Sequence, residues 1–138
     1  MSDTHDHNVN GFHDNVDLLP TVQELLGTER FGSYHYDGVS YAGTLLEGTD
    51  CSRPYEILTQ CAHVCQRSAR FDHYVYIRTV HGGYHLLPDE MLFDLEADPH
   101  GPHNLAQERP DLCAKGAKLI LDWNDAMMKT SAYDADPM

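Results

Sequence analysis

Leu18, Val22, Leu25 and Leu26 recur at three- and four-residue intervals, the spacing that lines one face of an α-helix. They predict a short helix over residues 17–27, with Asp17 able to cap it, Pro20 tolerated in its first turn and Gly27 ending it. A second short helix is expected over residues 41–47, after the turn Asp37-Gly38-Val39-Ser40 and before Gly48. Residues 49–54 read as loop, because Pro54 disfavours helix at Arg53. The period then changes. Residues 55–61 are partly β-branched and apolar, and residues 65–70 continue that strand or pair with it. Residues 73–79 alternate, with Val75, Ile77 and Thr79 on one side and Tyr74, Tyr76 and Arg78 on the other. His81-Gly82-Gly83 reads as a hairpin turn in which glycine supplies positive φ, and residues 91–95 as the last strand. After the irregular stretch Asp98-Pro99-His100-Gly101-Pro102, the helical period returns over residues 110–129. There Leu112, Leu119, Ile120, Trp123 and Met127 fall within about one third of the circumference, at about 100° per residue. The pattern predicts an α/β (α+β) chain: a small antiparallel β-sheet packed against a C-terminal helix.

Charge narrows the partners. The 138 residues hold 22 Asp and Glu against 9 Lys and Arg, a formal net charge of −13. Binding nucleic acid requires a phosphate-neutralising surface, and anionic membranes repel an acidic one, so neither partner is expected. No apolar run approaches a membrane span. The start, Met1-Ser2-Asp3-Thr4-His5-Asp6-His7, is polar and acidic rather than a secretory signal, which leaves the compartment unassigned with cytoplasm as the default.

Four cysteines, Cys51, Cys61, Cys65 and Cys113, are too few and scattered for a disulfide framework, and reduced, mostly buried thiols are the expectation. Cys61-Ala62-His63-Val64-Cys65, with ten histidines in the chain, raises the question of a metal site. On one continuous strand Cys61 and Cys65 would lie roughly 13 Å apart at about 3.3 Å per residue. Zinc–thiolate bonds of about 2.3 Å cannot bridge that gap, although a helix would bring both thiols close. Between His63 and His85 the charge balance reverses: Arg67, Arg70 and Arg78 accompany four histidines, with Asp72 the single acid. His63, Arg67, Arg70 and Arg78 are therefore the candidates for anion or sugar contacts, through guanidinium forks and imidazoles. The competing reading pairs the arginines with carboxylates, local or on another domain.

Ile77-Arg78-Thr79, Gly82-Gly83-Tyr84-His85, Met91-Leu92-Phe93-Asp94-Leu95-Glu96-Ala97-Asp98-Pro99 and His103-Asn104-Leu105-Ala106 follow one another in an order that is not generic. Together they resemble the C-terminal region of the sulfatase family, in the alkaline-phosphatase superfamily, where an "IRT" strand precedes "LYDLENDP…NLA". Asp17 to Gly27 resembles the family's "vDllPTllelaG" element, Asp37-Gly38-Val39-Ser40 its "DG.S" stretch, and Cys65-Gln66-Arg67-Ser68-Ala69-Arg70 a "CQRS.R" segment of one bacterial subgroup. The resemblance runs from about Asp17 to Met128.

The resemblance implies a sulfuric ester hydrolase with a formylglycine nucleophile and bound calcium. It also implies that both belong to an N-terminal catalytic domain not contained in this chain, which would be the partner, with a sulfate ester as the parent's substrate. The C/S-x-P-x-R motif that carries the nucleophile has no match here: Cys51-Ser52-Arg53-Pro54 has similar letters in another order. Nor do the paired calcium aspartates, and Ser2-Asp3-Thr4-His5 lacks the spacing and glycine of the family's "SDHG". No catalytic residue and no metal ligand is assigned in this chain, and no turnover is expected from it alone. Residues 1–16 are expected to form a His/Asp-rich arm, 17–130 the sulfatase C-terminal-like subdomain and 131–138 a disordered tail. Two further classes fit the sequence: a segment of a phosphate or phosphonate ester hydrolase of the same superfamily, and a stand-alone His-rich metal-binding module.

Overall fold

The structure is a computed structural model that describes residues 11–29, 36–101, 103–130 and 135–136. His5 and His7 of the expected arm, and residues 131–134 of the expected tail, lie outside them. The chain divides into two compact units, Met1–Pro54 and Tyr55–Met138.

The first unit is helical and joined by polar contacts. Asp14 caps a 3-10 turn, Asn15–Asp17, that leads into α1, Leu18–Leu25. Regular structure is therefore present inside the stretch read as an arm: the Asp17 carboxylate accepts from the Asp14 amide at 2.9 Å, closing a capping box. Asp17 does not cap α1 with its side chain. Its second oxygen instead accepts from the Val39 amide at 2.8 Å and pairs with Arg53. Thr21 donates to the Asp17 carbonyl at 2.6 Å and accepts from the Tyr41 amide at 3.1 Å. α2, Ala42–Glu47, ends at Gly48 with φ 69°, a left-handed cap that glycine adopts without strain. Asp17 and Thr21 are each 1% exposed, whereas the leucines of α1 face outward.

The second unit has a conventional apolar core. Its strands β1 (Tyr55–Cys61), β2 (Cys65–Phe71), β3 (Tyr74–His81) and β4 (Glu90–Asp94) form an antiparallel sheet in the order β1-β2-β3-β4. α3, Pro110–Thr130, covers one face. Ala69, Phe71, Tyr76 and Leu92 from the sheet meet Cys113 and Ile120 from the helix, with Tyr55, Ile57, Leu105, Leu112 and Leu119 at the margin. The helix line that touches the sheet is Cys113, Gly116 and Ile120, and Met127 is 37% exposed. Gly116 sets the spacing: a Cβ there would stand 2.5 Å from Tyr76 Cβ.

Two local readings are corrected. The expectation of reduced thiols fails for Cys61 and Cys65: of the two readings of residues 65–70 the pairing one holds, β1 and β2 being joined through residues 62–64, so the two cysteines face each other in register and form a disulfide, with Cα atoms 4.2 Å apart. Among the described residues Cys51 and Cys113 are free thiols, and burial raises the Cys113 pKa. Nor do Gly82 and Gly83 close a tight hairpin, since residues 82–89 separate β3 from β4. Gly83 does take positive φ, 60°, which glycine adopts without strain, and a side chain there would also overlap the His63 carbonyl.

Candidate functional site

The basic stretch maps onto β2, β3 and the turns at their ends. Arg67 and Arg78 stand opposite each other in the β2–β3 register. Like charges in that position repel, so each needs its own carboxylate. Arg67 donates through both terminal nitrogens to Asp136, at 2.6 and 2.8 Å, and through Nη1 to Asn124 at 3.3 Å. Its guanidinium also lies 5.5 Å from the Trp123 ring centroid. The side chain is 11% exposed, and its Nε is buried without a hydrogen-bond partner. Arg78 Nη1 lies 3.4 Å from Glu90 Oε1, the oxygen that accepts the Tyr76 hydroxyl at 2.5 Å. Burial first, and then Glu90, raise the Tyr76 pKa well above its ordinary value.

Arg70 lies three residues beyond Arg67 on the same strand and so belongs to the opposite sheet face, across from Glu56 and Val75. His63 occupies the exposed turn between β1 and β2. The four candidates are thus distributed over two sheet faces and a turn rather than gathered at one point. The Arg67 fork is already filled bidentately, so an external anion would have to displace Asp136.

The residues that carry the family resemblance satisfy backbone groups. Thr79 donates to the Pro88 carbonyl at 2.8 Å and accepts from Gln66 at 3.2 Å, while its amide bonds to Asp89 at 2.9 Å. This ties the connection 82–89 to β3. Asp94 accepts from the amides of Ala97 at 2.9 Å and Glu96 at 3.0 Å, and the Ala97 bond leads the lowering of its pKa. Asp98 accepts from the His103 amide at 3.1 Å. Asn104 Oδ1 accepts from Leu92 and Ala106 amides at 2.9 and 3.0 Å, and the Leu105 amide donates to the Leu92 carbonyl at 2.8 Å. Asn104-Leu105-Ala106 thereby satisfies the free edge of β4 in place of a fifth strand.

Cys51-Ser52-Arg53-Pro54 is likewise structural. The Cys51 amide donates to Thr44 at 3.2 Å, Arg53 pairs with Asp17, and the Arg53 amide bonds to the Phe12 carbonyl. A cavity of about 250 Å³ in the first unit is lined by Pro20, Gln23, Glu24, Thr28 and Ser40. Calcium takes about six to eight oxygen ligands. Among the described residues no group of three or more His, Cys, Asp or Glu side chains is placed to hold a metal ion, so the donor set does not fit one. No helix among them is long and apolar enough to cross a membrane.

A four-stranded antiparallel sheet under one helix, with an Asn-Leu-Ala segment bonded to its β4 edge, defines a compact α+β subdomain. Solved structures that share this fold include sulfatases. A 2-O GAG sulfatase aligns with 28% identity and a TM-score of 0.61 over 88% of this chain, but over 27% of its own length. A protein from Bacteroides thetaiotaomicron VPI-5482 assigned as a sulfatase gives 28% identity and a TM-score of 0.62 over the same shares. One from Bacteroides fragilis, at 20% identity, shares the fold with a TM-score of 0.64 over 79% of this chain and 24% of its own. The chain spans about a quarter of the length of these neighbours, as a C-terminal region would. No protein-family profile and no curated protein matches it. The resemblance read from the motifs therefore holds in three dimensions: the chain has the fold of a sulfatase C-terminal region.

Proposed function

We propose that this chain is the C-terminal segment of a sulfatase-type sulfuric ester hydrolase. In this reading it completes the fold and one wall of the active-site cleft, while a nucleophile and calcium ligands reside on an N-terminal catalytic domain. The observation that carries the proposal is the alignment of 88% of this chain with 27% of a 2-O GAG sulfatase. The use of its shared motif residues for backbone satisfaction supports it. His63, Arg67, Arg70 and Arg78 remain the residues through which such a segment would reach the cleft. His63, Arg70 and Arg78 lie at exposed positions, whereas the Arg67 side chain is 11% exposed and already engages Asp136. The purified chain, supplied with calcium, should release no chromophore from an aryl sulfate above the buffer rate. Measurable hydrolysis would show that the catalytic groups are in this chain and that the reading is wrong.

A further inference from the structure

The amphipathicity of α1 is reversed. Leu18, Leu19, Val22, Leu25 and Leu26 fall within about 120° of arc, at about 100° per residue. They are between 40% and 70% exposed. Pro20, Thr21 and Gln23, on the remaining arc, are buried. α2 repeats the arrangement: Leu45 and Leu46 are 58% and 72% exposed, while Ala42 and Thr44 are buried. Single exposed leucines are ordinary, but a stripe of them on a helix whose polar side is buried is the mark of an interface.

We infer that the exposed apolar faces of α1 and α2 are a docking surface for the sulfatase-type domain that carries the nucleophile, a partner presenting an apolar surface with a basic rim. The inference rests on the function proposed above and assigns the partner to a particular face. Two observations select this occupant. About three quarters of the 2-O GAG sulfatase has no counterpart in this chain, which leaves ample polypeptide to cover the leucines. Charge disfavours a second copy. The first 54 residues hold nine acidic and two basic side chains, and α1 and α2 themselves carry Glu24 and Glu47 and no base. Self-association would bring like-charged rims together, whereas Lys and Arg on a partner would be attracted.

The test uses the full chain in two forms, native and Leu25→Asp/Leu46→Asp. Each is co-expressed with the 2-O GAG sulfatase from which the segment matching this chain has been removed, and that sulfatase's own segment serves as the reference. The native chain should co-purify with the truncated sulfatase. The double variant should reduce the complex by about a hundredfold, since each buried unpaired carboxylate disfavours an interface by at least about tenfold. Leu121→Asp, an equally exposed apolar position on α3, should leave the complex intact. Equal capture of native and variant chains overturns the docking face and leaves the family reading standing. Failure of the native chain where the sulfatase's own segment succeeds also overturns the docking inference. So does a dimer of the isolated native chain by light scattering that the double variant dissolves, or its co-sedimentation with phosphatidylcholine vesicles. The aryl sulfate assay of the chain alone tests the family reading separately.

Discussion

Residues 11–54 and residues 55–130 are held together by opposite means. In the second region a sheet and a helix exclude water from Ala69, Phe71, Tyr76, Leu92 and Ile120, and polar groups serve the margins. In the first, the described residues that are buried are mostly polar, Asp17, Thr21, Gln23 and Thr44 beside Pro20 and Ala42, and the leucines face solvent. A hydrogen bond contributes only about 0.5–1.5 kcal/mol net, whereas burying a leucine contributes about 1.5–3 kcal/mol. The sheet unit therefore contains the driving force for its own folding. The helical unit contains the specificity of its fold but has most of its driving force still directed outward. The same chain thus combines a unit with an apolar core and a unit whose apolar faces are exposed.

Equivalent substitutions in the two regions should separate them most sharply. Leu92→Ala removes a fully buried side chain and should destabilise the sheet unit by about 3–4 kcal/mol, read by urea unfolding followed through Trp123 fluorescence. Leu46→Ala, at 72% exposure, should change stability by less than about 0.5 kcal/mol. Equal effects would erase the contrast. The helical unit should instead be sensitive at Asp17. Asp17→Ala leaves the Asp14 and Val39 amides without their acceptor and Arg53 without its carboxylate, and should cost about 2–3 kcal/mol. Faster hydrogen exchange at the Val39 amide, with the sheet unit's unfolding midpoint unchanged, is the expected signature.

Gly116→Ala sharpens the description of the second region. Glycine inside a helix normally costs stability relative to alanine, so an exposed site would gain from the change. Here the added Cβ would meet Tyr76 Cβ and Cγ at 2.5 Å, and overpacking should reverse the sign, with a loss of about 1–2 kcal/mol by urea unfolding. A gain would mean that α3 does not approach β3 as closely as the structure shows.

The legible parts of the sequence were those where periodicity and burial agree. β1, β3, β4 and α3 follow from alternation and from the helical stripe, and Ile120 was read as facing the sheet. Cys113 and Gly116 were not, because neither is a large apolar residue. A glycine in the middle of a strong helix was the available signal of close approach. The Cys61–Cys65 pairing was hidden because both residues have strand character and the turn at residues 62–64 contains neither glycine nor proline. For α1 the pattern gave the helix but not the direction of its apolar face: periodicity shows that a stripe exists, not what covers it. The candidate site was the least legible. The basic run was visible, yet Arg67 is answered by Asp136, a residue 69 positions away in a tail with no pattern of its own.

Tyr76 gives a smaller loss than Leu92, Asp17 or Gly116 and the one with the clearest sign. Its ring is fully buried, and its hydroxyl donates to Glu90 at 2.5 Å. Ionisation would place a phenolate in an apolar layer beside a carboxylate, which is why its pKa is raised above the ordinary 10.0. A folded-state pKa above the unfolded one means that the fold binds the proton more tightly. The associated stability is fully present below pH 10.0 and is lost as pH rises beyond it toward the folded value. Tyr76→Phe removes the donor, and because Glu90 is partly exposed the loss near neutral pH should be about 1 kcal/mol. The variant has no proton to release, so its deficit should shrink as pH climbs above 10.0, until the two proteins unfold at similar urea concentrations. The chain has eight tyrosines, so the difference between the two proteins is the quantity to follow rather than either curve alone. A deficit that stays constant through that range would place the Tyr76 hydroxyl in water, and with it the end of the core that separates the sheet from the helix.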